Sequence, residues 1–396
     1  MSKIVSFCEA LEKSKNLIKN KNTKEYISLF DALGRVLAEP IKCEKNLPSF
    51  NNSAMDGFAF KHSDSGKKLK ISQTIFAGMS IKPSLHVDEC YKIMTGAKVP
   101  SDVDTIVPFE NTISYDDSFV EVGDDIKKGN ALRLKGEEQK LGSQLFDKGI
   151  KLNSSHIAML SSQGINTIAV YKKISIAIFS TGDELKEPWE KANEDEIYNV
   201  NSSALLALLH EHGFDADYCG VIPDNLEESK AYFKSMKRYD CLVTTGGISV
   251  GEADFVEEAL KANDFQESFH GINIKPGRPT MMGTMGETLV ASMPGNPLAA
   301  YINAFLFLIP ALKSMQGLKE TDHDKVLAKN SSEFKVKSGR VNIVLGSLKS
   351  GEFTVCQNNR YGSGMITPIL NSNAILVTTE DESIVEKDSI IKVITF

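Results

Sequence analysis

Two stretches of helical spacing open the chain. Apolar side chains recur every three or four positions over residues 3 to 20 and again over residues 24 to 38, which predicts two helices. From about Leu47 to Phe146 the pattern changes to short apolar runs separated by glycine, proline and aspartate, which is typical of strands and tight turns. The strands are expected at 69–76, 105–108, 119–122 and 131–134. A helix near 155–163 and a strand at 167–171 then return the chain to its first unit.

Strands and helices alternate regularly from Lys173 to about Gly317. The strands are expected at 174–179, 217–222, 240–245 and 287–293, and the helices at 202–212, 226–236, 252–262 and 298–313. Such alternation implies a largely parallel sheet covered by helices on both faces. After Asp322 the pattern returns to short strands, expected at 340–345, 353–356, 374–379 and 389–394.

These patterns predict a multidomain α/β protein with a central three-layer α/β domain. The predicted units are a helical N-terminal part of residues 1–46 plus 147–172, an inserted β domain of residues 47–146, the α/β domain of residues 173–320, and a small all-β C-terminal domain of residues 321–396.

Polar, glycine-containing turns follow three of the predicted strands. The turns contain Ser180, Thr181, Gly182, Asp183 and Glu184 after the first strand, Gly246, Gly247, Ser249 and Asp254 after the third, and Pro294, Gly295, Asn296 and Pro297 after the fourth. Ligands of open α/β sheets bind at the carboxyl ends of strands, where glycines let backbone N–H groups approach phosphate oxygens. In the last turn, Asn296 can cap the next helix and Pro297 suits its first position.

Four carboxylates in turns predict a magnesium site. Asp56, Glu184, Asp224 and Asp254 offer oxygen ligands, and magnesium bridges such groups to substrate phosphates. The alternative treats Asp56 and Asp224 as ordinary turn residues and Asp254 as a carboxylate favoured by a helix dipole.

Two cations, Lys275 and Arg278, stand on a stiff proline-glycine loop, where fixed positive charge stabilises anions. A solvated surface pair is the alternative. The expected position of the loop on the ligand side of the sheet favours the anion site.

Composition limits the function classes. The chain has 396 residues, 41% hydrophobic and 24% charged, and a net charge of -7 with scattered basic residues, which argues against a nucleic-acid partner. Its apolar stretches fall short of the roughly 20 residues that span a bilayer, and acidic residues near the N-terminus argue against a signal peptide. Six dispersed cysteines without a metal-binding spacing fit reduced thiols. We therefore expect a soluble cytoplasmic protein without a membrane association.

Six segments in this order, NNSAMDGFA, IMTGAKVP, STGDEL, GGISVGEADF, IKPGRP and MPGNP, resemble the MoeA family of molybdopterin molybdenumtransferases, which includes the C-terminal domain of gephyrin. The resemblance covers nearly the whole chain. It implies insertion of molybdate into adenylylated molybdopterin, with Mg²⁺-dependent release of AMP, by a homodimer whose pocket is shared between subunits. An adenylyltransferase that makes the substrate is then a candidate partner, and the choice between molybdate and tungstate stays open.

The resemblance also implies roles for individual residues. The pterin and phosphate would be held by Ser180, Thr181, Gly182, Asp183, Gly246, Gly247, Ser249, Asp254 and Arg278, with Pro294, Asn296 and Pro297 on the molybdate side and Ser363 as a secondary contact. The catalytic residues would be Asp56, Thr95, Glu184, Asp224 and Lys275, with Asp56 and Thr95 contributed by the other subunit. The magnesium ligands would be Glu184, Asp224 and Asp254.

Two positions depart from the family pattern. Glu138 stands where a shorter aspartate is common, and Gly271 stands where some members carry a basic residue, beside His270.

Two other functions remain open: a molybdopterin adenylyltransferase, which has a similar glycine-serine-aspartate segment, and a non-catalytic molybdopterin-binding scaffold. The N-terminal segments and the C-terminal β domain argue against the adenylyltransferase, and the intact carboxylates argue against the scaffold.

Overall fold

The computed structural model of this protein describes residues 4–18, 23–182, 184–222, 225–247 and 255–396, without the side chain of Phe255. Within these ranges, three six-stranded sheets and several two-stranded ones carry the fold.

The first predicted helix is confirmed and the second is wrong. Helix α1 (Phe7–Asn16) is capped by Ser6, whose hydroxyl accepts a hydrogen bond from the Glu9 amide at 3.2 Å. Residues 24 to 38 instead form strand β1 (Lys24–Ser28) and a 3₁₀ turn (Leu29–Asp31). In β1 the exposed and half-buried side chains alternate, and pairing with a distant strand outweighs the helical spacing of the leucines.

Short strands build the inserted β region. In chain order they are β2 (Ile41–Lys42), β3 (Asn52–Ser53), β4 (Gly57–Phe60), β5 (Lys68–Ile75), β6 (Glu89–Ile93), β7 (Thr105–Pro108), β8 (Ser114–Tyr115), β9 (Phe119–Glu121), β10 (Leu132–Arg133) and β11 (Gln144–Phe146). Six of them form a sheet in the order β7-β4-β6-β5-β9-β8. Helix α2 (Ser154–Ser162) and strand β12 (Thr167–Tyr171) follow, and β12 pairs antiparallel with β1. The chain thus passes back beside its first strand after the inserted β region.

The central unit contains the alternating elements that the sequence predicted. Its strands are β13 (Ile176–Thr181), β14 (Leu185–Lys186), β15 (Ile197–Tyr198), β16 (Ala216–Ile222), β17 (Cys241–Thr245), β18 (Phe265–His270), β19 (Ile274–Lys275), β20 (Met281–Met285) and β21 (Thr288–Met293). Its helices are α3 (Val200–Glu211), α4 (Leu226–Met236), α5 (Phe255–Lys261), α6 (Pro297–Asn303) and α7 (Ile309–Met315), with a π-helical turn (Ala304–Leu308) between the last two.

The central sheet has the strand order β16-β13-β17-β21-β20-β18. The first four strands are parallel, as predicted, whereas β20 and β18 add an antiparallel pair that the pattern did not indicate. Gly283 lies in the middle of β20, where a Cβ would lie 2.2 Å from the Gln266 carbonyl oxygen of β18, so the close pairing of the two strands requires glycine. Helices α1, α3, α6 and α7 pack on one face and α4 and α5 on the other, so the predicted three layers are confirmed.

One helical rod, Pro297–Met315, is long and apolar enough to cross a membrane among the described residues, which the sequence pattern did not indicate. However, 83% of its most apolar stretch is buried inside the protein. This helical segment is therefore a core helix of the central unit, although its composition would also suit a membrane span.

The C-terminal unit is a small closed barrel. Its elements are β22 (Lys325–Asn330), β23 (Phe334–Lys335), β24 (Val341–Lys349), β25 (Glu352–Val355), α8 (Thr367–Leu370), β26 (Ala374–Val377), β27 (Ile384–Val385) and β28 (Ile390–Thr395). Strands β24, β25, β22, β28 and β26 pair in a ring, since β26 pairs with both β28 and β24. Strand β19 of the central unit pairs with β24, placing Lys275 opposite Asn342. The barrel is therefore joined by backbone hydrogen bonds to the loop that carries Lys275.

Candidate active site

A cavity of about 900 Å³ opens where β13, β17 and β21 end. The predicted polar turns line it through Thr181, Gly182, Glu184, Gly246, Gly247, Pro294, Asn296 and Pro297. Because parallel strands present their carboxyl ends at the same edge of a sheet, turns far apart in sequence meet here. The structure therefore brings together the three segments that the sequence singled out.

Glycine is required at two successive positions in the turn after β17. The φ angles of Gly246 and Gly247 are +81° and +66°. A Cβ on Gly246 would lie 2.7 Å from the Thr181 hydroxyl, and one on Gly247 would lie 2.6 Å from a methyl carbon of Val256. Both the backbone conformation and the close approach exclude larger side chains. The turn after β17 therefore packs directly against Thr181, at the end of β13, in the cavity wall.

The Ser180 side chain points into the protein rather than into the cavity. This serine is fully buried, and its hydroxyl lies 3.0 Å from the Asn199 side-chain oxygen, 2.6 Å from the Ser202 hydroxyl and 3.1 Å from the Thr245 hydroxyl. These contacts join the ends of β13 and β17 to the start of α3. Ser180 therefore fixes the shape of the cavity wall, while Thr181 next to it lines the cavity.

A second cavity of about 500 Å³ adjoins the first and shares Pro279, Pro294 and Asn296 with it. The cations Lys275, Arg278 and Arg340 line it, together with Ser363. Three cations around one small cavity suit an oxyanion. The structure thus places the predicted cationic loop beside the predicted glycine turns.

The loop that carries Lys275 is held by hydrogen bonds from a buried side chain of α6. Asn303, fully buried in α6, donates from its side-chain nitrogen to the Gly277 carbonyl oxygen at 2.7 Å and to the Thr280 hydroxyl at 2.5 Å. Gly277 has a φ of +93°, and a Cβ there would lie 2.2 Å from the Asn303 side-chain nitrogen. The direction of the two loop cations is therefore set by a buried amide.

Pro297 and Asn296 only partly follow the prediction. Pro297 occupies the first position of α6, as expected, but the Asn296 side chain makes no capping hydrogen bond. It instead lines both cavities, while its backbone carbonyl accepts from the Ala300 amide. The predicted cap is wrong because the fixed φ of proline already starts the helix, and the amide is left at the boundary between the cavities.

Asp56 and Thr95 lie together in the inserted β region, away from the linings of both cavities. The Thr95 hydroxyl and amide each donate to one Asp56 carboxylate oxygen at 2.6 Å. Hydrogen bonds from that hydroxyl and that amide lower the pKa of the exposed Asp56 carboxyl below its ordinary value. Thr95 thus holds the Asp56 carboxylate in its ionised form, at a position that lies outside both cavities of the same chain.

Of the remaining predicted residues, Glu184 lies within the described ranges and four others lie outside them. Glu184 lines the first cavity, and its carboxylate lies over Gly182, where a Cβ would approach it to 2.6 Å. Four predicted residues lie outside the described ranges: Asp183, Asp224, Ser249 and Asp254.

Sequence reasoning missed three residues that line the cavities, Asn199, Asn201 and Arg340. Asn199 caps α3 through its side-chain oxygen, which accepts from the Ser202 amide at 3.3 Å. Asn201 donates to the Gly295 carbonyl oxygen at 2.8 Å, and its buried side-chain oxygen has no partner among the described residues. An asparagine before an apolar helix was a readable cap signal, but nothing local in the sequence points to Arg340.

Comparison with known proteins places the chain among relatives of similar length. Three family models match: the MoeA N-terminal region (domain I and II) over residues 5–164, a probable molybdopterin binding domain over residues 177–314, and the MoeA C-terminal region (domain IV) over residues 328–396.

The chain is also similar to two curated proteins and one solved structure over nearly its whole length. It is 30% identical to the molybdopterin molybdenumtransferase of Haemophilus influenzae over 90% of both chains. It is 30% identical to that of Staphylococcus epidermidis over 94% of this chain and 91% of the relative. A molybdopterin biosynthesis moeA protein from Pyrococcus horikoshii OT3 superposes with a TM-score of 0.86 at 26% identity, over the full length of both chains.

Proposed function

Because the chain belongs to the MoeA family of molybdopterin molybdenumtransferases, we propose that it transfers molybdenum from molybdate to adenylylated molybdopterin and releases AMP. Membership makes it a transferase of molybdenum cofactor biosynthesis. The observation that supports the proposed reaction is the pair of adjoining cavities, one walled by glycine turns and the other by three cations.

The two cavities suit the two substrates. The larger one has room for a pterin with its phosphate, and the Asn201 side-chain oxygen, which has no hydrogen-bond partner within the described ranges, can accept from a pterin amino group. The backbone N–H group of Gly247 suits a phosphate oxygen, with Thr181 beside it, whereas the Gly246 amide already donates to the Met293 carbonyl oxygen at 3.2 Å. The smaller cavity suits molybdate, a dianion, which Lys275, Arg278 and Arg340 would hold, with Ser363 as a secondary contact.

A magnesium ion fits the donors that the family resemblance names. Glu184 presents a carboxylate to the larger cavity, and Asp224 and Asp254 would complete an oxygen ligand set. When bound, the ion would neutralise charge on the phosphoanhydride. The chain's own contribution is to orient that anhydride against the glycine turns and to keep the oxyanion beside its cations.

We further propose that the protein acts in the cytoplasm as a homodimer, in which Asp56 and Thr95 reach the cavity of the partner subunit. The separation of this pair from the cavities of its own chain supports the arrangement. Molybdopterin adenylyltransferase is the candidate partner that would supply the substrate.

The direct test incubates the purified protein with adenylylated molybdopterin, Mg²⁺ and molybdate, and follows AMP release and metal incorporation together. Molybdate-dependent release of AMP, coupled to metal uptake, is expected. Adenylylation of molybdopterin with ATP in place of both events would make the protein an adenylyltransferase, and binding without reaction would make it a scaffold.

Two carboxylate variants test the assignment of roles. Asp56→Ala and Glu184→Ala should fold normally and abolish metal insertion. Asp116→Ala is the matched control, because Asp116 is likewise an exposed aspartate whose pKa is lowered by hydrogen bonds, here from the backbone of Ser118 and Phe119. Full activity in Asp56→Ala and Glu184→Ala would remove these residues from the mechanism.

Mixing the two inactive variants tests the shared pocket. In mixed dimers of Asp56→Ala and Glu184→Ala subunits, one of the two pockets would contain both native carboxylates. Random assortment should therefore restore about one quarter of the wild-type activity. No recovery, in a preparation shown to contain mixed dimers, would place each complete site within a single chain.

A further inference from the structure

Three metal-binding side chains converge where α5 meets the end of β18. Glu257 lies on α5, and Glu267 and His270 lie on β18. One donor atom from each lies within 4.8 Å of the other two. The His270 Nδ1 atom is 3.7 Å from the Glu257 Oε2 atom and 3.9 Å from the Glu267 Oε2 atom. Glu257 and His270 are partly buried, with the His270 side chain 18% exposed, whereas Glu267 is an exposed residue whose side chain is 30% exposed.

The spacing suits a shared ion better than it suits hydrogen bonds. Both nitrogen-to-oxygen distances exceed the length of a hydrogen bond but lie within ion-pair range, so the two carboxylates face this nitrogen without a hydrogen bond to it. Zinc bonds of about 2.0–2.2 Å in a tetrahedral arrangement separate the donor atoms by about 3.4 Å. The two nitrogen-to-oxygen distances would have to contract by about 0.3–0.5 Å to reach that separation, and the two carboxylate oxygens, which lie within 4.8 Å of each other, would approach to the same distance by side-chain rotation.

The charges around the cluster agree with this arrangement. Lys261 holds the other oxygen of Glu257, Oε1, at 2.5 Å, which leaves Oε2 directed toward His270. Lys261 is 57% exposed and so contributes only a screened charge. Two carboxylates remain beside one imidazole, and a divalent cation would offset their repulsion.

We propose that Glu257, Glu267 and His270 bind a zinc ion. Mixed imidazole and carboxylate donors favour first-row transition ions over magnesium, which prefers oxygen ligands alone. Three protein ligands leave the fourth position to water. The site uses none of the proposed magnesium ligands and does not depend on the proposed reaction.

The proposed zinc site lies next to two chain segments that border the cavities. Val256, next to Glu257, lines the larger cavity, and His270 leads through Gly271 into the loop of Lys275. An ion held by all three ligands would tie the start of α5 to the end of β18. Zinc would therefore fix two chain segments that border the site, as a positioning element outside the catalytic groups.

The test measures zinc binding by competition with a fluorescent chelator in metal-free full-length protein. Millimolar Mg²⁺ fills oxygen-ligand sites, and a Cys8→Ser background removes an exposed thiol that could bind zinc. The variants His270→Ala and Glu267→Gln each remove one proposed ligand. His210→Ala is the control, because the His210 Nδ1 atom lies 3.7 Å from an oxygen of Asp215, but with a single carboxylate and 82% exposure.

One zinc ion per chain is expected, with affinity lowered at least tenfold in both ligand variants and unchanged in the control. Zinc at 100 times its Kd should also lower the unfolding equilibrium constant about 100-fold in the background protein. Absence of saturable binding, or equal affinity in His210→Ala and the ligand variants, would overturn the proposal. Glu267→Gln decides the matter if His270→Ala does not fold.

Discussion

Replacing Gly277 by alanine is expected to destabilise the loop that carries Lys275 and Arg278. The new Cβ would lie 2.2 Å from the Asn303 side-chain nitrogen and 2.6 Å from its oxygen, so the buried amide must move. Its hydrogen bonds to the Gly277 carbonyl and the Thr280 hydroxyl would then be lost or stretched. Each buried polar group left unsatisfied costs about 1–3 kcal/mol, and alanine at this positive φ adds about 1–2 kcal/mol. With the Asn303 amide as one such group, the expected total is about 2–5 kcal/mol.

Gly286→Ala is the matched control. Gly286 also has a positive φ, +64°, but a Cβ at this position would meet no atom within 4 Å, so only the backbone cost of about 1–2 kcal/mol is expected. Calorimetric Tm values would compare the two variants, since 1 kcal/mol shifts Tm by about 2–4 °C in a unit of 150–250 residues. Molybdate titration would show whether the cations are displaced, with weaker binding expected in Gly277→Ala alone. Equal Tm losses and equal affinities would refute the role given to the Asn303 amide.

Three further predictions follow from single groups. Thr95→Val should raise the pKa of Asp56 toward its ordinary value and move the acid limb of the pH–activity profile to higher pH; an unmoved limb would exclude Asp56 as the titrating group. Burial, reinforced by nearby lysines, lowers the pKa of His212 and of His323 to about 4 from 6.5. The unfolded chain therefore binds more protons between these values, so stability should be full above pH 6.5 and fall as the pH drops toward 4. His323→Gln should flatten this fall in Tm, and parallel curves for variant and wild type would contradict it. Ser180→Ala should cost about 1–2 kcal/mol in calorimetry but leave molybdate affinity unchanged, whereas lost affinity at full stability would show that the hydroxyl contacts the ligand.

The central unit could be predicted from sequence because its signals are local and mutually consistent. Helix α4 (Leu226–Met236) has the predicted bounds, and the parallel strands differ from them by at most two residues. Strand β1 was misread as helix because its leucine-rich neighbourhood has helical spacing, while its pairing partner lies some 140 residues away. The antiparallel pair β18 and β20 was missed for a similar reason, since Gly283 is dictated by a neighbouring strand rather than by a turn.

In the candidate site, too, the features with local sequence signals could be predicted, and those that depend on distant segments could not. Glycine turns after strands are visible in sequence, and the structure places the predicted turns around one cavity. The burial of Ser180 was not predictable, because its partners belong to three different segments. Arg340 was missed because it enters the smaller cavity only through the pairing of β24 with β19.

The pairing of β19 with β24 also bears on how this protein can be recombined. The cationic cavity takes Lys275 and Arg278 from one side of that junction and Arg340 and Ser363 from the other. A chimera that exchanged the barrel with a relative would replace Arg340, one of the three cations, together with the strand that pairs with the segment carrying Lys275. The segments on the two sides of the β19–β24 junction must therefore be exchanged together. Crossovers between them should yield proteins that fold but no longer bind the anion.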